Sequence, residues 1–186
     1  MYPPPLLFPL CTGRRHRASG LTLVELLVTL VILGILVTLA VPSFARLLRE
    51  WQRDSATKAF TAHVQLARSE AIKTSRRVVM CSSSNGTACA NSNDWSTGWL
   101  VFMDLDADNT LDSGEPVLAV RGAPTGLSRM QASGNVQRMV FMPNGLTASN
   151  MTTLSIVPSG PADLKMNQVT VNRIGRTYVQ TTDQEG

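Results

Sequence analysis

The sequence predicts an α+β protein: one long N-terminal helix, with a membrane half and an amphipathic half, packed on antiparallel β-sheet. Three observations predict it. Residues 21–44 are almost continuously apolar. The residues after them, to about position 75, are apolar on one side only. Beyond Arg77 the helical period gives way to short apolar runs divided by turn-forming clusters.

From Leu21 to Phe44 only Thr22, Glu25, Thr29, Thr38, Pro42 and Ser43 interrupt the apolar run, which is long enough to cross a bilayer as a helix. Arg14, Arg15, His16 and Arg17 precede it, and such a cluster stays on the cytoplasmic side. The rest of the chain then lies across the membrane. Glu25 is the anomaly, because a carboxylate inside a span costs about 2.5–3.5 kcal/mol on insertion scales. It has a partner or a task, or it sits hydrated near the membrane surface. Pro42 removes the backbone bond to the Thr38 carbonyl, so a kink is expected there.

Past Pro42 apolar residues recur at Phe44, Leu47, Leu48, Trp51, Ala56, Ala59, Phe60, His63, Val64, Leu66, Ala67, Ala71 and Ile72. The other face carries Arg46, Arg49, Arg53, Lys58, Arg68, Lys73 and Arg76. A helix from Thr22 to Ser75 would be about 80 Å long at ~1.5 Å per residue. Its first half needs lipid or other helices around it, and its second half needs a sheet to lie on.

Gly20-Leu21-Thr22-Leu23-Val24-Glu25, with basic residues before it and an apolar helix after it, resembles the N-terminus of type IV pilins and secretion pseudopilins. The resemblance implies a leader peptide, residues 1–20, cut after Gly20 by prepilin peptidase, and methylation of the new amine on Leu21. It also implies that Glu25 pairs with the N-terminal amine of a neighbouring subunit as the filament assembles. Leu21 departs from the family, which usually has Phe there, and Pro3-Pro4-Pro5 opens a longish leader. A competing reading treats the run as a secretory signal cut after Ala45, where Ser43-Phe44-Ala45 supplies small residues. That reading leaves Glu25 unexplained.

The net charge of +4 overstates the basic character of the chain. Arg14, Arg15 and Arg17 lie in the leader and every acid lies beyond it, so the two signs nearly balance in the rest. A polybasic nucleic-acid binder is excluded, and a nucleic-acid site would have to be local. Cys11 belongs to the leader. Cys81 and Cys89 remain, in a domain expected outside the cytoplasm, and a disulfide closing CSSSNGTAC is the natural reading.

Strands are expected at Val78–Met80, Trp99–Met103, Val117–Val120, Val136–Met142, Met151–Val157, Val169–Val171 and Thr177–Gln180. Turn clusters lie between them at Ser82–Gly86, Asp112–Gly114, Pro143–Gly145, Pro158–Pro161 and Ile174-Gly175. The resulting division is leader 1–20, filament-core or membrane helix 21–45, amphipathic helix 46–75, β-rich domain 76–180 and loose tail 181–186. Cys81 to Cys89, then Asp94-Trp95-Ser96-Thr97-Gly98-Trp99-Leu100-Val101-Phe102, Gly114-Glu115-Pro116-Val117-Leu118 and Phe141-Met142-Pro143-Asn144-Gly145, resemble the GspH/FimT family of pseudopilins and minor pilins. That resemblance implies an inner-membrane protein with its globular domain in the periplasm. Its partners would be other pilin or pseudopilin subunits of a type II secretion system or a type IV pilus.

Two stretches could carry chemistry. In Asp104-Leu-Asp106-Ala-Asp108-Asn109-Thr110-Leu111-Asp112-Ser-Gly-Glu115 the acids fall at EF-hand positions, with Asn109 where Gly is the rule and no helices flanking. Calcium held by Asp104, Asp106, Asp108, Asp112 and Glu115 is one reading, and a water-solvated acidic connection is the other. In the C-terminal hairpin, Arg173 and Arg176 flank a tight turn and Tyr178 follows. Arginines contact phosphate and Tyr stacks on bases, which makes DNA an alternative partner. FimT-type pilins carry a Gly-Arg-x-Arg motif implicated in DNA binding, and Gly175-Arg176-Thr177-Tyr178 matches only its first half. His63 is the one histidine beyond the leader and lies on the apolar helix face. With no nucleophile–His pair, phosphate loop or zinc spacing, the chain does not read as an enzyme.

Overall fold

The computed structural model describes residue 20, residues 22–148 and residues 150–184. Its helix α1 spans Leu23–Thr74 without interruption. The chain divides into two compact units, Met1–Val41 and Pro42–Gly186. In the first unit every described residue is exposed, as a greasy helix without a protein partner must be. The helix stops where Ser75 turns left-handed (φ 54°), a conformation that cannot continue it.

Eight strands follow: β1 Arg77–Ser82, β2 Gly98–Asp104, β3 Val117–Gly122, β4 Leu127–Ala132, β5 Arg138–Phe141, β6 Thr152–Pro158, β7 Met166–Val171 and β8 Thr177–Thr182. They form two four-stranded sheets, β3-β2-β1-β5 and β4-β6-β7-β8, antiparallel throughout. Helix α1 lies across both. Ala56, Phe60, Val64, Ala67 and Ala71, spaced by three or four, bury against Val78, Met80 and Val101 of the first sheet and Leu154, Ile156 and Val169 of the second. Phe60 meets Trp95 and Trp99 edge-on at 5.6 and 5.7 Å between ring centroids. Both tryptophans are therefore packed between helix and sheet.

The other face of the first sheet has its own small core. Val79, Cys81, Leu100, Phe102 and Val140 are covered there by Cys89, Leu111 and Met142. Cys81 and Cys89 are bonded to each other, so the loop they close is pinned to β1.

Four expectations need correction. Strand β4 was not foreseen, because Leu127, Met130 and Ala132 do not alternate cleanly. A bulge between Leu127 and Arg129 shifts their register against β6. The strand expected at Val136–Met142 shortens to β5, because a turn of 3-10 helix occupies Ser133–Asn135 just before it. Arg53, assigned to the solvent face, is buried. Its Nη1 donates to the Lys165 carbonyl (2.7 Å) and its Nη2 meets Asp54 Oδ1 (2.8 Å). The tail is shorter than expected, since Thr181 and Thr182 belong to β8 and Gln184 Nε2 donates to the Leu164 carbonyl at 2.6 Å. Residues 185 and 186 lie outside the described residues.

Candidate assembly and binding sites

At the N-terminal end, Gly20 is exposed and Leu21 lies outside the described residues, as does the leader before Gly20. Thr22 caps α1: the Glu25 backbone N–H donates to Thr22 Oγ1 at 3.2 Å. Thr22-x-x-Glu25 is thus a capping-box spacing, a signal legible in the sequence and overlooked. Glu25 sits in the first turn, where the positive end of the helix dipole favours a carboxylate by about 0.3–1 kcal/mol. Among the described residues it has no ion-pair partner. Local structure therefore places the charge without consuming it.

The acidic loop leaves the end of β2. Asp104 is buried (2% exposed), and its carboxylate accepts from the N–H groups of Ala107 (2.7 Å) and Asn109 (3.3 Å). Burial raises its pKa, the two N–H groups pull it down, and Glu115 and Asp106 push it up again. Asp112 is raised as well, by desolvation and then by Asp108, Asp106 and Glu115. Asp104, Asp106 and Asp108 bring ligand oxygens within 4.8 Å of one another. Asp112 and Glu115 are not in that group. Both Glu115 oxygens face inward to the backbone, accepting from Leu105 (2.7 Å) and Asp112 (3.1 Å). Arg77 and Arg138 clamp the loop from outside, donating to the carbonyls of Ala107 (3.1 Å) and Asn109 (2.7 Å). The structure thus brings together three of the five proposed calcium ligands and uses the Glu115 carboxylate to hold the loop's shape.

The C-terminal hairpin turns at Asn172–Arg176. Asn172 organises it, accepting from Gly175 N–H at its carbonyl (2.9 Å) and from Arg176 N–H at its side chain (2.9 Å). Gly175 has φ 70° and lies so close to α1 that an added Cβ would stand 2.6 Å from Arg68 Cδ. Arg68 in turn donates to the Gly145 carbonyl at 3.1 Å. The hairpin tip, the 143–147 turn and the helix therefore meet at one corner. Arg173, Arg176 and Tyr178 are exposed there, and Arg68 is a third arginine that no local motif pointed to. Its partner is 77 residues away in sequence.

His63 is not poised for catalysis. Its Nδ1 accepts the Trp99 indole N–H at 2.8 Å, which fixes the neutral tautomer with its proton on Nε2. Burial lowers its pKa and the charge of Arg121 lowers it further.

Comparison with known proteins supplies the family. The model of the family described as "Type II transport protein GspH" matches residues 56–175, and that of the prokaryotic N-terminal methylation motif matches residues 15–41. The chain belongs to the GspH family of pseudopilins and minor pilins. The family match covers α1 from Ala56 onward and most of the two sheets, and the methylation motif covers the capped, apolar start of the helix. The chain is 30% identical to the pilin-like protein PilA1 of Thermus thermophilus, over 87% of its own length and 97% of that protein. Its fold is similar to that of the type IV minor pilin FimU of Pseudomonas aeruginosa: TM-score 0.56, 19% identity, 70% of this chain and 90% of that one. It is also similar to the minor pseudopilin EpsH of the type 2 secretion system of Vibrio cholerae: TM-score 0.51, 13% identity, 70% of this chain and 97% of that one. As a pilin-type GspH-family chain it is a filament subunit associating with other subunits of its kind, and not an enzyme.

Proposed function

We propose that the chain is a minor pseudopilin or minor pilin that waits in the inner membrane with its two-sheet domain in the periplasm. Prepilin peptidase cuts after Gly20, the Leu21 amine is methylated, and the subunit joins a filament of a type II secretion or type IV pilus machine. The observation that carries this reading is the capped helix start. The methylation motif lies on a helix whose Leu23–Val41 stretch is apolar and wholly exposed, so it needs lipid or neighbouring helices to cover it. Glu25 supports it, because an unpaired carboxylate at that end favours the one register in which it meets a free amine. On this reading the functional divisions are the leader 1–20, the membrane and filament-core helix 21–45, the amphipathic helix 46–75 and the β-domain from 76 onward.

The test is mass spectrometry of the mature chain in its host, with Glu25→Ala beside it. The expected product begins at a methylated Leu21, and the variant is cut normally but enters filaments poorly. A mature chain beginning after Ala45, or full incorporation of the variant, would refute the reading.

A second reading, DNA capture for uptake, is favoured by a hairpin tip that packs through Gly175 against Arg68 and leaves Arg173, Arg176 and Tyr178 exposed. Such contacts give salt-sensitive binding. Titrating DNA against the domain at several salt concentrations, with the Arg173→Ala, Arg176→Ala double variant, decides it. Binding that the variant loses supports this reading, and no binding at low salt removes it.

A further inference from the structure

We propose that one face of α1, formed by Phe44, Leu47, Leu48 and Trp51, docks in the headgroup layer on the periplasmic side of the membrane before assembly, with Trp51 as its anchor. The proposal rests on the reading that Leu23–Val41 spans the bilayer.

These four residues fall at i, i+3, i+4 and i+7 and so form one stripe. They are 67%, 62%, 43% and 64% exposed, although they lie on the same helix that two turns later buries Phe60 and Val64 completely. Their turns meet the domain through other positions. Ala45, Arg46 and Arg49 border a groove closed by Gly160, Pro161 and Leu164, Arg46 pairs with Asp163, and Arg53 is buried. The domain therefore does not use the stripe to fold.

Length argues for what covers it. Leu23–Val41 rises about 28 Å as a helix at ~1.5 Å per residue, against a hydrocarbon core of about 30 Å. The span alone fills the hydrocarbon, and the next two turns emerge where headgroups begin. The chemistry suits that layer. Trp is enriched there, with an apolar ring in the acyl boundary and an indole N–H toward water. In a filament the same stripe would be released to neighbouring helices.

The chain carries its own reporter. Of its three tryptophans, Trp95 and Trp99 are fully buried and only Trp51 is exposed. The full chain is placed in phosphatidylethanolamine–phosphatidylglycerol vesicles whose acyl chains carry bromine either near the headgroup or near the chain end. Bromine quenches only an indole that it touches. The expected result is loss of the Trp51 emission with shallow bromine and much less loss with deep bromine, and no quenching by either lipid in Trp51→Phe. Leu33→Trp in the Trp51→Phe background is the control for the span, and deep bromine quenches it. If Leu33→Trp is quenched and Trp51 is not, the docking face is refuted and the span stands. That holds whether Trp51 is open to an aqueous quencher or shielded from it by a second copy. If neither is quenched, the membrane reading fails and the proposal fails with it.

Discussion

Replacing His63 by Phe separates a hydrogen bond from the packing around it. The ring remains, edge-on to Trp99 as now (centroids 6.1 Å apart), but the acceptor for the Trp99 indole N–H is lost. Trp99 is completely buried, and an orphaned donor there costs about 1–3 kcal/mol. At ~2–4 °C of Tm per kcal/mol for a chain of this size, His63→Phe should melt several degrees lower. The same contact makes folding pH-dependent. The folded state holds His63 neutral, with its pKa below the ordinary 6.5, through burial and the charge of Arg121. Above that value neither state is protonated and the contribution is full. As pH falls through it, the unfolded chain takes a proton that the folded chain resists, so stability drops, and the drop ends once the folded form also protonates. Asp104 and Asp112, both raised, act with the opposite sign at lower pH, in the carboxylate range. Urea unfolding of the detergent-solubilised chain between about pH 7.5 and 5.5 therefore isolates the histidine. The wild type should weaken across that window and His63→Phe should stay nearly flat. An equal slope in both, or a wild type that strengthens on acidification, would refute the reasoning.

Three further perturbations address the packing. Phe60→Ala empties the space between Trp95 and Trp99 and should cost about 3–5 kcal/mol, read as a lower urea midpoint. Opening the Cys81–Cys89 bridge with the double Ser variant frees a loop closed over a separation of 8 residues. The entropy of so short a loop predicts a loss of about 2–3 kcal/mol in thermal unfolding, and an unchanged Tm would show that the loop is held without it. Gly98→Ala should be worse than an ordinary strand substitution. Gly98 has φ 112°, and an added Cβ would stand 2.5 Å from the Arg121 carbonyl oxygen and 2.9 Å from that of Ser83. Neither is a side chain that can swing away, so the edge between β2 and β3 should open, detectable as faster amide exchange along β3.

The polar contacts between helix and second sheet form a network. Asn167 on β7 donates to Asp54 Oδ1 and to Thr57 Oγ1, both at 3.0 Å, and accepts from Thr181 Oγ1 at 2.9 Å. Asp54 also holds Arg53. The buried guanidinium thus has its charge matched and an acceptor at each of its nitrogens, which offsets the cost of burying it. The family's helix-on-sheet arrangement is secured here by a clasp of side chains as well as by the apolar row beneath it.

The sequence by itself determined the helix, most of the strands and the covalent link. These depend on local properties: the apolar period, the Gly, Pro and Asn punctuation, and two cysteines left in a domain expected outside the cytoplasm. It also carried the N-terminal motif whole, because Gly20, Thr22 and Glu25 stand close together in the sequence. Only the tertiary structure decided which side chains those elements commit. Arg53 and Arg49 look alike in the helical pattern, yet Asp54 and the Lys165 carbonyl bury one and nothing among the described residues takes the other. Phe44, Leu47, Leu48 and Trp51 continue the apolar row that buries Phe60, yet the sheets do not cover them. Strand β4 was hidden because a bulge moved its register, and the arginine corner because Arg68, Gly145 and Gly175 meet only after two sheets and a hairpin have closed. Period and propensity are set by near neighbours along the chain. Partnership is set by which distant turns arrive at the same place, and that is fixed by long-range pairing no local window contains.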